Sequence, residues 1–237
     1  MRQLFITGGS SDIGVSVIRA FLNKNYQVIA QKFNSQPSFN ELEMNTENLT
    51  SIKIDFSNYS NLERSIAKHT SLIEKSDVLV NAAAVFEPSK FYDISSAQIL
   101  NALTINVIPS LILMKTIAPK MVERKWGRIL NISSIGVKFG GGSNSFCYAL
   151  SKHAMEFMPA IHKNWAAHNV LINTLRLGVV ETRFHKTNPE KDLSLRTSLI
   201  PAGRMANTEE VAAMVEWLCS SKNSFTTGQT ISMAGGE

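Results

Sequence analysis

Seven short runs of mostly apolar residues punctuate this chain, and the intervals between them carry helical spacing or turn residues. The runs are LFIT (4–7), YQVIA (26–30), TSIKI (50–54), DVLVN (77–81), RILNIS (128–133), VLINTL (170–175) and QTISM (229–233). Most are continuous rather than alternating, the pattern of a strand covered on both faces. Between them, Ile13, Val17, Ala20 and Phe21 form one apolar stripe, and Leu62, Ile66, Leu72 and Ile73 form most of another. Longer helical patterns run from about 96 to 124 and from about 148 to 167. No repeat, low-complexity tract or linker interrupts them. Alternation of this kind predicts one α/β domain over residues 1–237, a doubly wound parallel sheet of about seven strands with helices on both faces.

Bulk properties exclude several functions. The formal charge of +5 is mild, and the densest basic group (Lys115, Lys120, Arg124, Lys125, Arg128) reads as a solvated helix face, not a nucleic-acid surface. Two cysteines, Cys147 and Cys219, and five dispersed histidines offer no metal-ligand spacing and no disulfide framework. The first residues, MRQLFITGGSS, carry too short an apolar run for a signal peptide, and no stretch reads as a membrane span. A cytoplasmic chain without metal, nucleic-acid or membrane partners is expected.

In doubly wound sheets, ligands sit beyond the carboxyl ends of the strands. TGGSSDIG (7–14) follows the first strand and opens a helix, so Gly8 and Gly14 stand where a phosphate-cradling loop needs them. Tyr148 and Lys152, four apart in YALSK, share one helix face, where an ammonium favours the phenolate. GRILNISS ends a strand at Ser133 and Ser134, where a hydroxyl can meet the same substrate oxygen. Asn106 lies three residues before Pro109, whose missing N–H predicts a distorted turn beside a buried amide.

Taken together, TGGSSDIG, Asp55, NAAA (81–84), Asn106, GRILNISS, YALSK, Gly178 to Thr182 and TGQTISMAGG (227–236) resemble, in order and over essentially the full length, the motifs of the short-chain dehydrogenase/reductases. The resemblance implies a Rossmann-type fold and a catalytic tetrad of Asn106, Ser134, Tyr148 and Lys152, with Ser133 as the alternative serine. It also implies hydride transfer between a nicotinamide and a carbonyl or alcohol carbon. Tyr148 would exchange the oxygen-bound proton, and Ser134 would orient that oxygen. Lys152 would hold the ribose, lower the Tyr148 pKa and pass protons to water near Asn106. The cofactor would meet Gly8, Ser10, Ser11, Asp12, Ile13 and Gly14 in the loop, then Asp55, Asn81, Ala82 and Ala83, and finally Gly178, Val180 and Thr182.

The chain departs from the family pattern at three places. Asp12 stands where the loop usually has a glycine, and a carboxylate about 5 Å from a phosphate costs roughly 3 kcal/mol at an effective dielectric of 20. It is therefore expected to turn away and cap its own helix. NAAA replaces the usual N-N-A-G, and Arg176-Leu177-Gly178 replaces x-Pro-Gly. After the second strand no acid precedes Glu41, whereas Lys32, Asn34 and Ser35 suit a 2′-phosphate, so NADP(H) is favoured over NAD(H). The substrate loop is placed at about 183–203, with Phe139 and Phe146 as pocket or core residues and Cys147 as a packed thiol. Similarity to 3-oxoacyl-carrier-protein reductases implies a small carbonyl or alcohol substrate, with an acidic carrier protein facing Arg124 and Lys125. It also implies a homo-oligomer, tetramer or dimer, built on the two long helices. The alternative is a cofactor-binding redox regulator without turnover.

Overall fold

The structure, a computed structural model, describes residues 1–33, 47–140, 142–183 and 193–237. Its elements follow in the order β1 (Gln3–Thr7), α1 (Asp12–Leu22), β2 (Gln27–Lys32), β3 (Leu49–Lys53), α2 (Leu62–Ala67), α3 (Thr70–Ile73), β4 (Val78–Asn81), α4 (Ser96–Asn106), α5 (Ile108–Glu123), β5 (Gly127–Ser134), α6 (Phe146–Phe157), β6 (Val170–Leu177), α7 (Leu193–Ser198), α8 (Thr208–Cys219) and β7 (Thr230–Met233). All seven expected strands form. They make one sheet in the order β3-β2-β1-β4-β5-β6-β7, every pair parallel.

The chain therefore starts mid-sheet, winds out to β3, and crosses back over β1 to lay down β4. That reversal leaves a crevice at the carboxyl ends of β1 and β4. Two apolar layers hold the helices to the sheet. Leu4 and Ile6 of β1 pack with Val17 and Phe21 of α1 and Val211 and Val215 of α8 on one face. Phe5, between them, packs with Leu113, Ile117 and Met121 of α5 on the other. Successive strand residues point to opposite faces, so both layers demand apolar side chains and the runs are continuous.

Four expectations need correction. The 96–124 pattern is two helices, broken at Val107 (φ −118°), as the missing N–H of Pro109 anticipates. The second long pattern is α6 alone, because Pro159 lies in a 3₁₀ segment, Met158–Asn164, that replaces further α-helix. Residues Ser96–Glu123 contain an 18-residue stretch, mean hydropathy 1.6, that does reach the length and apolarity of a membrane span. Their apolarity has another use here, since Leu113, Ile117, Ala118 and Met121 lie fully buried against the sheet.

Arg128 is the fourth correction, because it belongs to no solvated face. Only 2% exposed, it donates to the carbonyls of Ser220, Asn223, Asn169 and Gly127 at 2.8–3.3 Å. Burial lowers its pKa to about 10. Arg124, beside it in sequence, reaches Asp77 (3.4 Å) and the Ser76 carbonyl (2.7 Å), at the amino ends of the strands. Arg128→Ala removes these bonds and strands several buried carbonyls. It should lower unfolding free energy by about 3 kcal/mol, read as a shifted urea midpoint.

Candidate active site

The glycine loop is held in place by close backbone approach. Gly8 adopts φ +67°, and a Cβ there would lie 2.9 Å from the Ala83 backbone; at Gly14 it would lie 2.4 Å from the Gly8 carbonyl. Thr7 Oγ1 accepts the N–H groups of Ala82 and Ala83, both at 3.0 Å. Gln31 completes the brace. Its side-chain oxygen accepts Gly8 N–H and its carbonyl accepts Gly9 N–H, both at 2.9 Å, while its amide donates to the Ile54 carbonyl at 2.7 Å. Sequence reading places Gln31 at a strand end but gives it no role, because a lone Gln in an apolar run carries no signal of its partners.

Ser11, not Asp12, caps α1: its hydroxyl accepts Gly14 N–H at 3.0 Å and donates to the Gly8 carbonyl at 2.8 Å. Asp12 occupies the first helical position and bonds Arg183 across the cleft mouth, through the backbone N–H at 2.7 Å and the guanidinium at 2.6 Å. The expectation that Asp12 caps its own helix is corrected, since its carboxylate bonds Arg183 instead. Arg183 gives no sequence signal, since 171 residues separate the two.

From this loop a cleft of about 1340 Å³ runs past β4 and β5 to α6 and α7. Gly8, Ser10, Ser11, Asp12, Ile13, Lys32, Asp55, Ala82, Ala83, Ser134, Tyr148, Lys152, Gly178, Val180 and Thr182 all line it. Asn34 and Ser35 lie outside the described residues. Three expected residues do not line the cleft. Gly14 is buried beneath the loop and serves close packing. Asn81, 1% exposed, donates to Asn131 Oδ1 at 2.9 Å, within the strand layer. Asn106, fully buried, accepts Val85 N–H (2.7 Å) and donates to the Val85 carbonyl (3.1 Å) and Ser151 Oγ (2.8 Å). Its side chain thus ties the segment after β4 to α6, next to Lys152.

The two serines point to different partners. Ser133 Oγ, 2% exposed, donates to Glu156 Oε1 at 2.8 Å, and Glu156 is bridged by Arg176 at 2.6 Å. Arg176, where the family has no fixed residue, is thus half of a partly buried ion pair behind α6. Ser134 Oγ is the half-buried one, accepting Gly136 N–H at 3.2 Å. Tyr148 stands opposite, edge-on to Phe86 with ring centroids 5.7 Å apart.

Lys152 is 1% exposed; its ammonium donates to the Ile132 carbonyl at 2.8 Å and lies 5.7 Å from the Tyr148 ring centroid. Burial pushes its pKa down to about 8 and pushes the Tyr148 phenol above its ordinary value. In this state, therefore, Lys152 does not pull the phenol toward neutrality, because desolvation outweighs the cation. Cys147 is buried, its thiol also pushed up by desolvation, as a packed thiol should be. Phe139 lines the cleft, whereas Phe146 stacks edge-on against Phe91 at 5.0 Å.

The cradle fits a dinucleotide: a glycine loop that a Cβ would fill opens onto a helix N-terminus, and a carbonyl-held lysine lies across the cleft. A seven-stranded sheet of this order with such a loop defines a nucleotide-binding α/β oxidoreductase. Comparisons agree. Residues 8–237 match the family model described as enoyl-(acyl carrier protein) reductase. The chain is similar to an acetoacetyl-CoA reductase of Shinella zoogloeoides, 29% identical over 100% of this chain and 98% of the other. It is 32% identical to the 3-oxoacyl-[acyl-carrier-protein] reductase FabG of Aquifex aeolicus, over 70% of this chain and 67% of the other. A solved short-chain dehydrogenase/reductase family protein superposes with a TM-score of 0.88 at 24% identity, covering 99% of this chain and 96% of that one. The chain belongs to the short-chain dehydrogenase/reductase family, whose members are oxidoreductases acting on carbonyl and alcohol groups with NAD(P).

The depressed Lys152 pKa has a stability consequence. Below pH 8 the fold bears the full cost of a buried cation; between about 8 and 10.5 folding releases a proton and that cost shrinks; above 10.5 it vanishes. Lys152→Met should therefore unfold at higher urea than wild type at pH 7, with the gap narrowing as pH rises to 10.

Proposed function

We propose that the chain is an NADP(H)-dependent reductase of a small carbonyl compound, with Tyr148 as proton donor, Ser134 orienting the carbonyl oxygen and Lys152 as ribose anchor and proton source. The observation that carries this reading is that Ser134, Tyr148 and the buried Lys152 line the same cleft as the glycine loop, with the Lys152 ammonium 5.7 Å from the Tyr148 ring centroid. When bound, the nicotinamide supplies the hydride. Everything else belongs to the chain. A phenol raised by burial is protonated at neutral pH, the form that carbonyl reduction consumes. Ser134, whose oxygen accepts Gly136 N–H, keeps its own proton for the substrate oxygen. Lys152, whose pKa lies near 8, is a suitable donor to re-protonate Tyr148. Asn106, bonded to Ser151, acts by positioning α6.

Lys32 supports NADP(H), since it lines the cleft at the end of β2, where an ammonium suits a 2′-phosphate. The relatives named 3-oxoacyl and acetoacetyl reductases suggest a 3-oxoacyl thioester as substrate. Leu195, Leu199 and Phe139, large apolar side chains at the opposite end, suit such a chain. If an acidic carrier presents the substrate, Arg124 and Lys125 are not its dock, for they sit at the amino ends of the strands; Lys138, beside Phe139, is better placed. Exposed Leu100, Leu111, Leu150 and Phe157 on α4, α5 and α6 support assembly into a dimer or tetramer. Two free buried thiols, Cys147 and Cys219, suit a reducing cytoplasm.

Tyr148→Phe should lower turnover by about 10²–10⁴-fold with acetoacetyl-CoA while NADPH affinity changes less than about threefold. Retained turnover overturns the assignment. For the wild type, kcat/KM of reduction should be level from pH 6 to 7.5 and decline as Lys152 loses its proton near pH 8. Fluorescence titration should show tighter binding of NADPH than of NADH; the reverse order removes the role given to Lys32.

A further inference from the structure

Asp12 carries a negative charge at the first position of α1, the end of a helix whose unpaired N–H groups and dipole attract anions. A bare carboxylate there cancels that field and repels a pyrophosphate. The structure places Arg183 against it by three contacts: Asp12 Oδ2 accepts the Arg183 backbone N–H at 2.7 Å, and Oδ1 accepts Nε–H and Nη2–H at 2.6 Å each. Both residues line the cleft, Asp12 in the loop after β1 and Arg183 just after Thr182 in the segment following β6. An exposed ion pair alone is worth little. Here the backbone donor adds a contact that charge screening does not remove, and the Asp12 side chain is only 25% exposed.

We propose that Arg183 is a positioning residue for the dinucleotide: it holds and neutralises the Asp12 carboxylate, so that a loop with an acid in place of a glycine still accepts a pyrophosphate. This deepens the proposed cofactor use and rests on it. The pair also spans the cleft mouth, joining the segment that carries Thr182 to the phosphate loop. Loss of Arg183 leaves the acid facing the cleft; loss of both residues leaves an ordinary loop. The arrangement is thus a matched pair, in which Arg183 matters only while Asp12 is present.

The test is a four-way titration with NADPH and with NADH of wild type, Arg183→Met, Asp12→Gly and the double variant, folding being checked by thermal melts. Arg183→Met should weaken binding by about tenfold or more. Asp12→Gly should bind at least as tightly as wild type, and the double variant should return to within about threefold of Asp12→Gly. Arg183→Lys should recover part of the loss. Adenosine 2′-phosphate, which lacks the pyrophosphate, should bind wild type and Arg183→Met alike. The proposal fails if Arg183→Met binds as wild type does, or if its loss persists undiminished in the double variant. Wild type that binds neither dinucleotide overturns the proposed function, and this inference with it, a result distinct from either.

Discussion

The approach of Gly8 to Ala83 is the contact on which the rest of the site depends. Two strands that are neighbours in space, β1 and β4, are far apart in sequence, and the cleft exists only where their ends splay around it. The missing side chain at Gly8 lets the two backbones meet, and Thr7 and Gln31 then use spare hydrogen-bonding groups to keep them there. Everything that faces the cleft from this side inherits its position from that junction: Ser11, the N-terminus of α1, and Asp12 with its partner. From the other side, the carbonyl of Ile132 fixes Lys152, and Asn106 fixes the turn of α6 just before it.

How legible the molecule was in its sequence can be read off particular residues. The inner strands declared themselves because both of their faces are covered, so their apolar runs are unbroken, as Leu4, Phe5 and Ile6 show by serving two layers at once; the edge strand β3, mostly exposed, carried a weaker signal. Tyr148 and Lys152 were legible because four residues is a helical turn, a local quantity. Ser134 against Ser133 was not, since neighbouring strand residues face opposite ways and only the presence of Glu156 and Arg176 behind α6 decides which hydroxyl is taken. Asp12 was half legible: electrostatics predicted that it must turn away, but its destination lay 171 residues downstream. Asn81 looked like a cofactor contact and Asn106 like a tetrad member because of where they stand in the chain; the Asn106 amide is taken up by Val85 and Ser151, whereas Asn81 donates to Asn131 and its buried oxygen accepts from no described residue.

Burial sets the chemistry of the site as much as proximity does. A lysine with a single carbonyl partner and almost no solvent contact is an unfavourable thing to fold around, and the phenol beside it is held in its neutral form by the same dryness. The fold accepts that cost on the cleft wall, where the proposed reaction would use a proton, whereas the equally buried Arg128 is surrounded by four carbonyl acceptors. Two buried cations, one richly and one sparingly solvated by backbone, separate a structural role from a reactive one.

Those four carbonyls come from widely separated parts of the chain: the start of β5, the turn before β6, and the segment that follows α8. A single guanidinium thereby makes the last strand-forming region a condition for burying the middle one. The consequence concerns assembly of the chain during synthesis. Until the residues around Asn223 have emerged, β5 carries a cation with its main acceptors missing, and the sheet cannot close around it. Burial of β5, the strand that ends at Ser134, is thereby coupled in free energy to the segment that follows α8.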